Sequence, residues 1–351
     1  MRLVQIENIN PEMKLARPVR YKNRILLNTG VNNLHKYKKR LASLGINYIY
    51  VNDRFSENIE VKDVIKDETR REGKKVIKEI MEDIKFNKDI NIKKVKKSVS
   101  KIIDDILNNS KNLMVNMVDI KSFDSYTFEH SVNVAVLSII LGKQINLNKQ
   151  DLLKLGTGAI LHDIGKTLIP KDILNKSEKL ENEEFEVIKK HPRLGYDYLN
   201  GNNQISPVSK IIILSHHERL NGSGYPKKIS GPEIHKFGKI VAITDVYDAL
   251  TSDRVYRKKW PVHKVINYLM SNTQNKFEPS LVKNFIRNLA VYPNGSKVKL
   301  SNGKKALIKE QHQNYPTRPV IKIIEDEKGN EVSQTIDLMD HLNIIIEDIC
   351  Q

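Results

Sequence analysis

A chain of 351 residues, 39% hydrophobic and 29% charged, is long enough for two or three domains with at least one full core and too apolar for wholesale disorder. Its net charge of +17 invites a nucleic-acid reading, but the surplus is spread along a Lys-, Asn- and Ile-rich chain, so no stable nucleic-acid complex is expected and a small anionic substrate is served equally well. The single cysteine, Cys350, excludes an intramolecular disulfide; no window reaches ~18 apolar residues, and Arg2, Glu7, Glu12 and Lys14 interrupt any signal-peptide core, so no membrane span and a cytoplasmic setting are expected.

Residues 1–58 mix short apolar runs with the turn signals Asn10-Pro11, Arg17-Pro18 and Tyr21-Lys22-Asn23. A strand-like Arg24-Ile25-Leu26-Leu27 ends at Gly30, a helical Lys36 to Leu44 stops at Gly45, and Ile46 to Val51 alternates as a strand does. A small α/β or α+β module is expected. Over residues 59–118 the chain turns to charged stretches with apolar residues at helical spacing, Val76, Ile80 and Ile84, then Val95, Val99, Ile102, Ile103 and Ile106. Such helices suit a linker, a dimerising pair or the outer layer of the next domain, and their amphipathic faces suit a homodimer.

Residues 119–288 carry apolar helical patterns at Val132 to Leu141, Leu152 to Leu161, Phe185 to Lys190, Ile211 to Ser215 and Ile240 to Leu250, without βα alternation. An all-α bundle-like domain is expected, which makes the chain mainly α. Residues 289–351 return to turn signals, such as Tyr292-Pro293-Asn294-Gly295, between short runs at Lys297 to Leu300, Ala306 to Ile308 and Val320 to Ile324. They read as a small β appendage with an apolar tail from Leu342 to Ile349, in which His312 and His341 are surface residues.

The chemistry concentrates in the helical region, where His130, His162-Asp163, His191, His216-His217 and Asp245 follow in order. Neutral imidazoles with carboxylates are the donors that a pair of first-row metal ions takes, and such ions make hydrolytic water at neutral pH. His130 alone, at the start of an apolar helical run, would pass for a core histidine. His162-Asp163 is different: it closes the small-residue stretch Gly156-Thr157-Gly158-Ala159, which allows close helix approach, and an adjacent His and Asp can serve one metal and bridge two. The reading of a helix end with a Gly stop explains Gly165 and Lys166 but not the His-Asp pair. His216-His217 precedes a loop in which Gly222 and Gly224 permit positive φ and Tyr225 is presented; His191 stands before Pro192 at a helix boundary. Asp245 lies in an apolar helix with Asp248 as a competing choice.

In order, Tyr126-Thr127-Phe128-Glu129-His130-Ser131, His162-Asp163-Ile164-Gly165-Lys166, Lys190-His191-Pro192, His216-His217-Glu218-Arg219, Gly224-Tyr225-Pro226, Asp245-Val246-Tyr247-Asp248-Ala249-Leu250 and Arg254-Val255-Tyr256-Arg257 resemble the HD-GYP domain, a branch of the HD-domain phosphohydrolases. The resemblance covers roughly half of the chain. It implies a phosphodiesterase that hydrolyses cyclic di-GMP to linear pGpG and, with further turnover, GMP, using two divalent transition-metal ions, iron in preference to manganese. His130, His162, Asp163 and Asp245 would bind one ion. Asp163 would bridge to a second held by His191, His216 and His217. Lys166 would contact the metal-bridging hydroxide or the scissile phosphate, and Tyr225, Arg254 and Arg257 would contact substrate.

Tyr126 stands where three-metal members carry a glutamate, so the resemblance implies two metals; Val255 and Asn221 replace a proline and an aspartate without removing a ligand. Two other readings compete: a catalytically weak HD-GYP-like sensor or scaffold that binds nucleotide or partner proteins, and a phosphohydrolase for another cyclic dinucleotide.

Overall fold

The computed structural model describes residues 1–21, 24–109, 126–176, 178, 180–252 and 259–350, with Tyr126 described by its backbone alone. These residues divide into two compact units, 1–64 with 287–350 and 65–109 with 127–286.

The first unit begins with β1 (Arg2–Gln5), β2 (Lys14–Leu15), β3 (Val19–Tyr21), β4 (Arg24–Leu27), α1 (Lys38–Ser43) and β5 (Tyr48–Asn52). β5 is central in an antiparallel sheet of order β1-β5-β2, with Ile49, Tyr50 and Val51 buried, while β3 and β4 pair separately. α1 supplies Leu41 to the same core, and Gly45 ends the segment at φ +73°, the conformation a glycine stop requires. Of the two expected classes, the antiparallel pairing makes this module α+β. The rest of the unit is β6 (Lys297–Leu300), β7 (Lys305–Glu310), β8 (Val320–Glu325), β9 (Glu331–Asp337) and β10 (Ile346–Ile349), an antiparallel sheet of order β10-β6-β7-β8-β9.

The two ends of the chain meet in this unit. Leu3 donates its amide to Gly295 at 3.2 Å, Asn294 donates to Glu60 at 3.1 Å, and Ile59 packs with Leu307 and Ile324. The residues expected as an apolar tail include strand β10, whose Ile349 pairs with Val298 of β6. His312 is less a surface residue than expected: its Nε2 lies 2.8 Å from the Asp337 carboxylate.

The second unit is helical: α2 (Asp67–Lys85), α3 (Ile92–Asn108), α4 (Tyr126–Gln144), α5 (Lys149–Ile160), α6 (Lys171–Leu174), α7 (Asn182–Ile188), α8 (His191–Asn200), α9 (Pro207–Ser215), α10 (Lys236–Thr251), α11 (Val262–Ser271) and α12 (Pro279–Ile286). α2 packs on α3 and α3 on α5, so the apolar stripes at Val76 to Ile84 and Val95 to Ile106 are buried inside the unit. The homodimer expectation drew on those stripes, which are therefore not available to a second chain.

α4 and α10 form the centre. Apolar residues from Val132 to Leu141 and from Phe237 to Tyr247 are buried around the whole helix circumference, as a helix hydrophobic on every side must be. Ser138 and Thr244 pin the pair with a 2.8 Å hydroxyl contact. Caps define the surrounding helices: the side chains of Asn91, Asn148 and Ser206 accept from the backbone of Lys94, Asp151 and Ser209. Among the described residues, no helix is long and apolar enough to cross a membrane.

Candidate metal centre

The histidines and both aspartates of the series come from places the helices fix. His130 lies near the start of α4 and Asp245 in the middle of α10; His162 and Asp163 follow the last turn of α5, His191 opens α8, and His216 with His217 follow α9. The close approach of these segments depends on missing side chains. A Cβ on Gly165 would stand 1.9 Å from the carbonyl oxygen of His191, and one on Gly158 would stand 2.5 Å from Ile212. Gly165 is thus not a helix stop with positive φ; it lets the His162-Asp163 turn lie against α8. In the loop after His217, Gly222 has φ +74°, whereas Gly224 is required by proximity: its Cβ would come within 2.4 Å of the Glu218 Cα.

Three rings are aimed in the same way. The Nδ1 of His162 is 2.7 Å from the Ala159 carbonyl, that of His191 is 2.8 Å from Ile188, and that of His216 is 2.9 Å from Ile213. Each carbonyl belongs to the last turn of the preceding helix and accepts the Nδ1 proton, which leaves Nε2 as a lone-pair donor facing inward. His130 is held differently, by the Asp248 carboxylate at 2.7 Å from Nδ1.

The inward atoms surround Asp163. Its Oδ2 lies 3.6 Å from His130 Nε2 and 3.4 Å from His162 Nε2, and its Oδ1 lies 3.2 Å from His191 Nε2 and 3.8 Å from His216 Nε2. Asp245 Oδ1 is 3.1 Å from His130 Nε2, and Asp245 Oδ2 is 3.8 Å from His217 Nδ1. Two groups with metal-ligating spacing result, His130 with His162 and Asp245, and Asp163 with His191, His216 and His217. His162 Nε2, in one group, and Asp163 Oδ1, facing the other, are buried without a hydrogen-bond partner, a cost that a cation in each group would remove.

Electrostatics prepare the same donors. Burial pushes His191, His216 and His217 below their ordinary value, and neighbouring imidazoles push His216 and His217 down further. They are neutral at pH 7, the state in which imidazole ligates. Burial opposes ionisation of Asp163, but the charge of Lys166 and the contacts with His162 and His191 outweigh it and hold the carboxyl well below the usual range. Asp245 is depressed likewise, burial being outweighed by His130 and His217. For His130 burial acts downward, yet the bonds to Asp245 and Asp248 prevail and raise it to about 9.

Lys166, about a quarter exposed, places Nζ 2.5 Å from Asp163 Oδ2. Tyr225 stacks on His217 with ring centroids 4.6 Å apart. Arg254 and Arg257, with Val255 between them, lie outside the described residues, as does the side chain of Tyr126. Three groups take roles that the sequence left unassigned. Asp248 is not an alternative to Asp245 but stands behind His130, where it also accepts from Asn133 at 2.9 Å. Asn133 left a signal, being a polar residue inside an otherwise apolar helix. Arg219 donates to the carbonyls of His216 and Glu218 at 3.2 and 2.8 Å and lies over the Phe277 ring, which ties down the start of the Tyr225 loop.

The chain is similar to known families and proteins. Residues 101–281 match the HD domain, and residues 297–351 match the KOW domain associated with HD domain. The chain is 36% identical over 212 residues to the cyclic di-GMP phosphodiesterase PA4108 of Pseudomonas aeruginosa, covering 60% of this chain and 51% of that protein. It is 38% identical over 152 residues to the cyclic di-GMP phosphodiesterase response regulator RpfG of Xanthomonas campestris (43% and 40%), and 34% identical over 181 residues to the 3'3'-cGAMP-specific phosphodiesterase 2 of Vibrio cholerae (51% and 35%). The chain thus spans about half or less of the length of these relatives. Among solved structures, Bd1817, described as an HDG"Y"P protein from Bdellovibrio bacteriovorus, shares the fold with TM-score 0.54 at 19% identity, covering 81% of this chain and 97% of that one.

Proposed function

This chain belongs to the HD-domain family, in its HD-GYP branch, and on that premise we propose that it is a metal-dependent phosphodiesterase that hydrolyses cyclic di-GMP to linear pGpG and, with further turnover, GMP. One observation carries the reading: the two oxygens of a single buried carboxylate, Asp163, face two separate sets of histidine nitrogens. His130, His162 and Asp245 with Asp163 Oδ2 would hold one divalent ion, and Asp163 Oδ1 with His191, His216 and His217 the other. Mixed imidazole and carboxylate donors suit first-row divalent ions in general; the HD-GYP resemblance is what favours iron over manganese. When bound, such a pair supplies an acidified water and positive charge at the phosphoryl oxygens.

The chain's own groups do the rest. A phosphodiester carries charge that repels nucleophiles, so cations around its oxygens are needed. Lys166 is close enough to steady Asp163 and exposed enough to meet a phosphoryl oxygen. Tyr225, seated on His217, would contact the substrate, and Arg254 and Arg257 would hold its phosphates. The proposed setting is cytoplasmic, with the cyclic dinucleotide as the partner.

Hydrolysis by anaerobically reconstituted protein tests this directly, with cyclic di-GMP, 3'3'-cGAMP and a simple aryl phosphodiester as substrates. Linear pGpG is the expected product. Metal-loaded protein that binds cyclic di-GMP without turning it over would establish the sensor reading instead, and preferential turnover of 3'3'-cGAMP would place this chain beside its Vibrio relatives.

A further inference from the structure

Behind His130 a line of hydrogen bonds runs out to α2. His130 Nδ1 donates to Asp248 Oδ2 at 2.7 Å, Asn133 Nδ2 donates to Asp248 Oδ1 at 2.9 Å, and Arg70 Nη1 donates to Asn133 Oδ1 at 2.5 Å. The order of donors is forced: a guanidinium can only donate and a carboxylate can only accept, so the Asn133 amide must point its oxygen at Arg70 and its nitrogen at Asp248. Asn133 and Asp248 are fully buried, whereas Arg70 is partly exposed on α2.

Each member needs the next. A buried carboxylate is costly unless its oxygens are bonded, and Asp248 has the imidazole and, at 3.4 Å, the Ser252 hydroxyl on one oxygen and the Asn133 amide on the other. The amide is a better donor when its carbonyl is polarised by a cation, and Arg70 supplies that cation. A carboxylate behind a histidine ligand fixes the ring and raises its basicity. One turn along α2, Lys74 lies 3.7 Å from Glu129, so a second cation seats the same helix on α4 immediately beside His130.

We propose that Arg70 is a positioning residue of the metal centre: it orients Asn133, Asn133 orients Asp248, and Asp248 holds the His130 ring with Nε2 toward Asp163 and Asp245. The Arg70–Asn133 bond, rather than the general seating of α2, therefore sets how tightly the ion at His130 is held. This inference rests on the reading of His130 as a ligand.

The test is equilibrium Mn²⁺ binding to metal-free protein, followed by kinetics at saturating metal. Arg70→Met should weaken the site containing His130 by roughly tenfold or more, with the other site and the KM for cyclic di-GMP unchanged. Arg70→Lys should recover part of the loss. Asn133→Leu should show the same defect, and adding Arg70→Met to it should weaken binding no further, since both act on one line. Val76→Ala, which loosens a buried contact of α2 without touching the line, serves as the control and should leave affinity unchanged. Wild-type affinity in Arg70→Met, or an equal loss in Val76→Ala, overturns the inference. Failure of the wild-type protein to bind Mn²⁺ at all would instead overturn the reading of the site.

Discussion

His130 should make metal binding eject a proton. In the metal-free protein its imidazole is raised to about 9, while an ion can take only the neutral ring. At pH 7, two units lower, about one ring in a hundred is neutral, against about half at pH 9, so affinity at that site should be ~50-fold weaker at pH 7 than at pH 9, or ~2.3 kcal/mol. Burial already leaves His191, His216 and His217 neutral and the two aspartates are already ionised, so these five add no protons of their own. Calorimetric Mn²⁺ titrations near pH 7.5, in buffers of different ionisation enthalpy, count the protons released. Bound water can contribute some, and comparison with Asp248→Asn removes that ambiguity, because the variant loses one of the two carboxylates that raise His130 and leaves the water alone. The wild type should release more protons than the variant, by an amount approaching one per chain. Equal release, together with wild-type affinity that does not change between pH 7 and 9, would refute the reasoning. The stability of the metal-free fold runs the opposite way: a raised histidine stabilises fully below its ordinary 6.5, and that contribution is lost as pH rises through about 9.

Three further outcomes are expected. Asp163→Ala removes both bridging oxygens, so hydrolysis should be abolished and metal content, read by elemental analysis, should fall from about two ions per chain to one or fewer. Lys166→Met should keep its metals yet lower kcat by about 10²–10³-fold in steady-state assays, the loss typical of removing one preorganised charge donor; unchanged kcat would take Lys166 out of the reaction. Gly165→Ala forces a Cβ against the His191 carbonyl and should destabilise the fold by about 1–3 kcal/mol or more, seen as a lowered melting temperature in calorimetry.

The histidine and aspartate series was legible because metal chemistry narrows the choice of residue, and the fold brings the series into two groups with metal-ligating spacing. The helices that carry them were legible for a simpler reason, since α4 and α10 are apolar around their whole circumference. Less visible was anything that depends on the partner of a residue. Asp248 has the same sequence surroundings as Asp245, one turn away, and only the fold turns one toward the ligand atoms and the other toward Nδ1 of His130. Gly165 looked like a helix stop because an approach to α8, 26 residues later in the chain, leaves no local trace. Short strands such as β2 and the bulged β10 have too few residues to show alternation. The stripes of α2 and α3 marked helices correctly without saying what would cover them.

The carbonyls that hold His162, His191 and His216 are backbone atoms at the ends of α5, α7 and α9, so these rings are clamped by the helices themselves. No ion is needed to aim them, unlike a zinc finger, whose ligands gather only when metal arrives. On the proposed reading, ions would leave and return to a socket that these backbone contacts keep in shape.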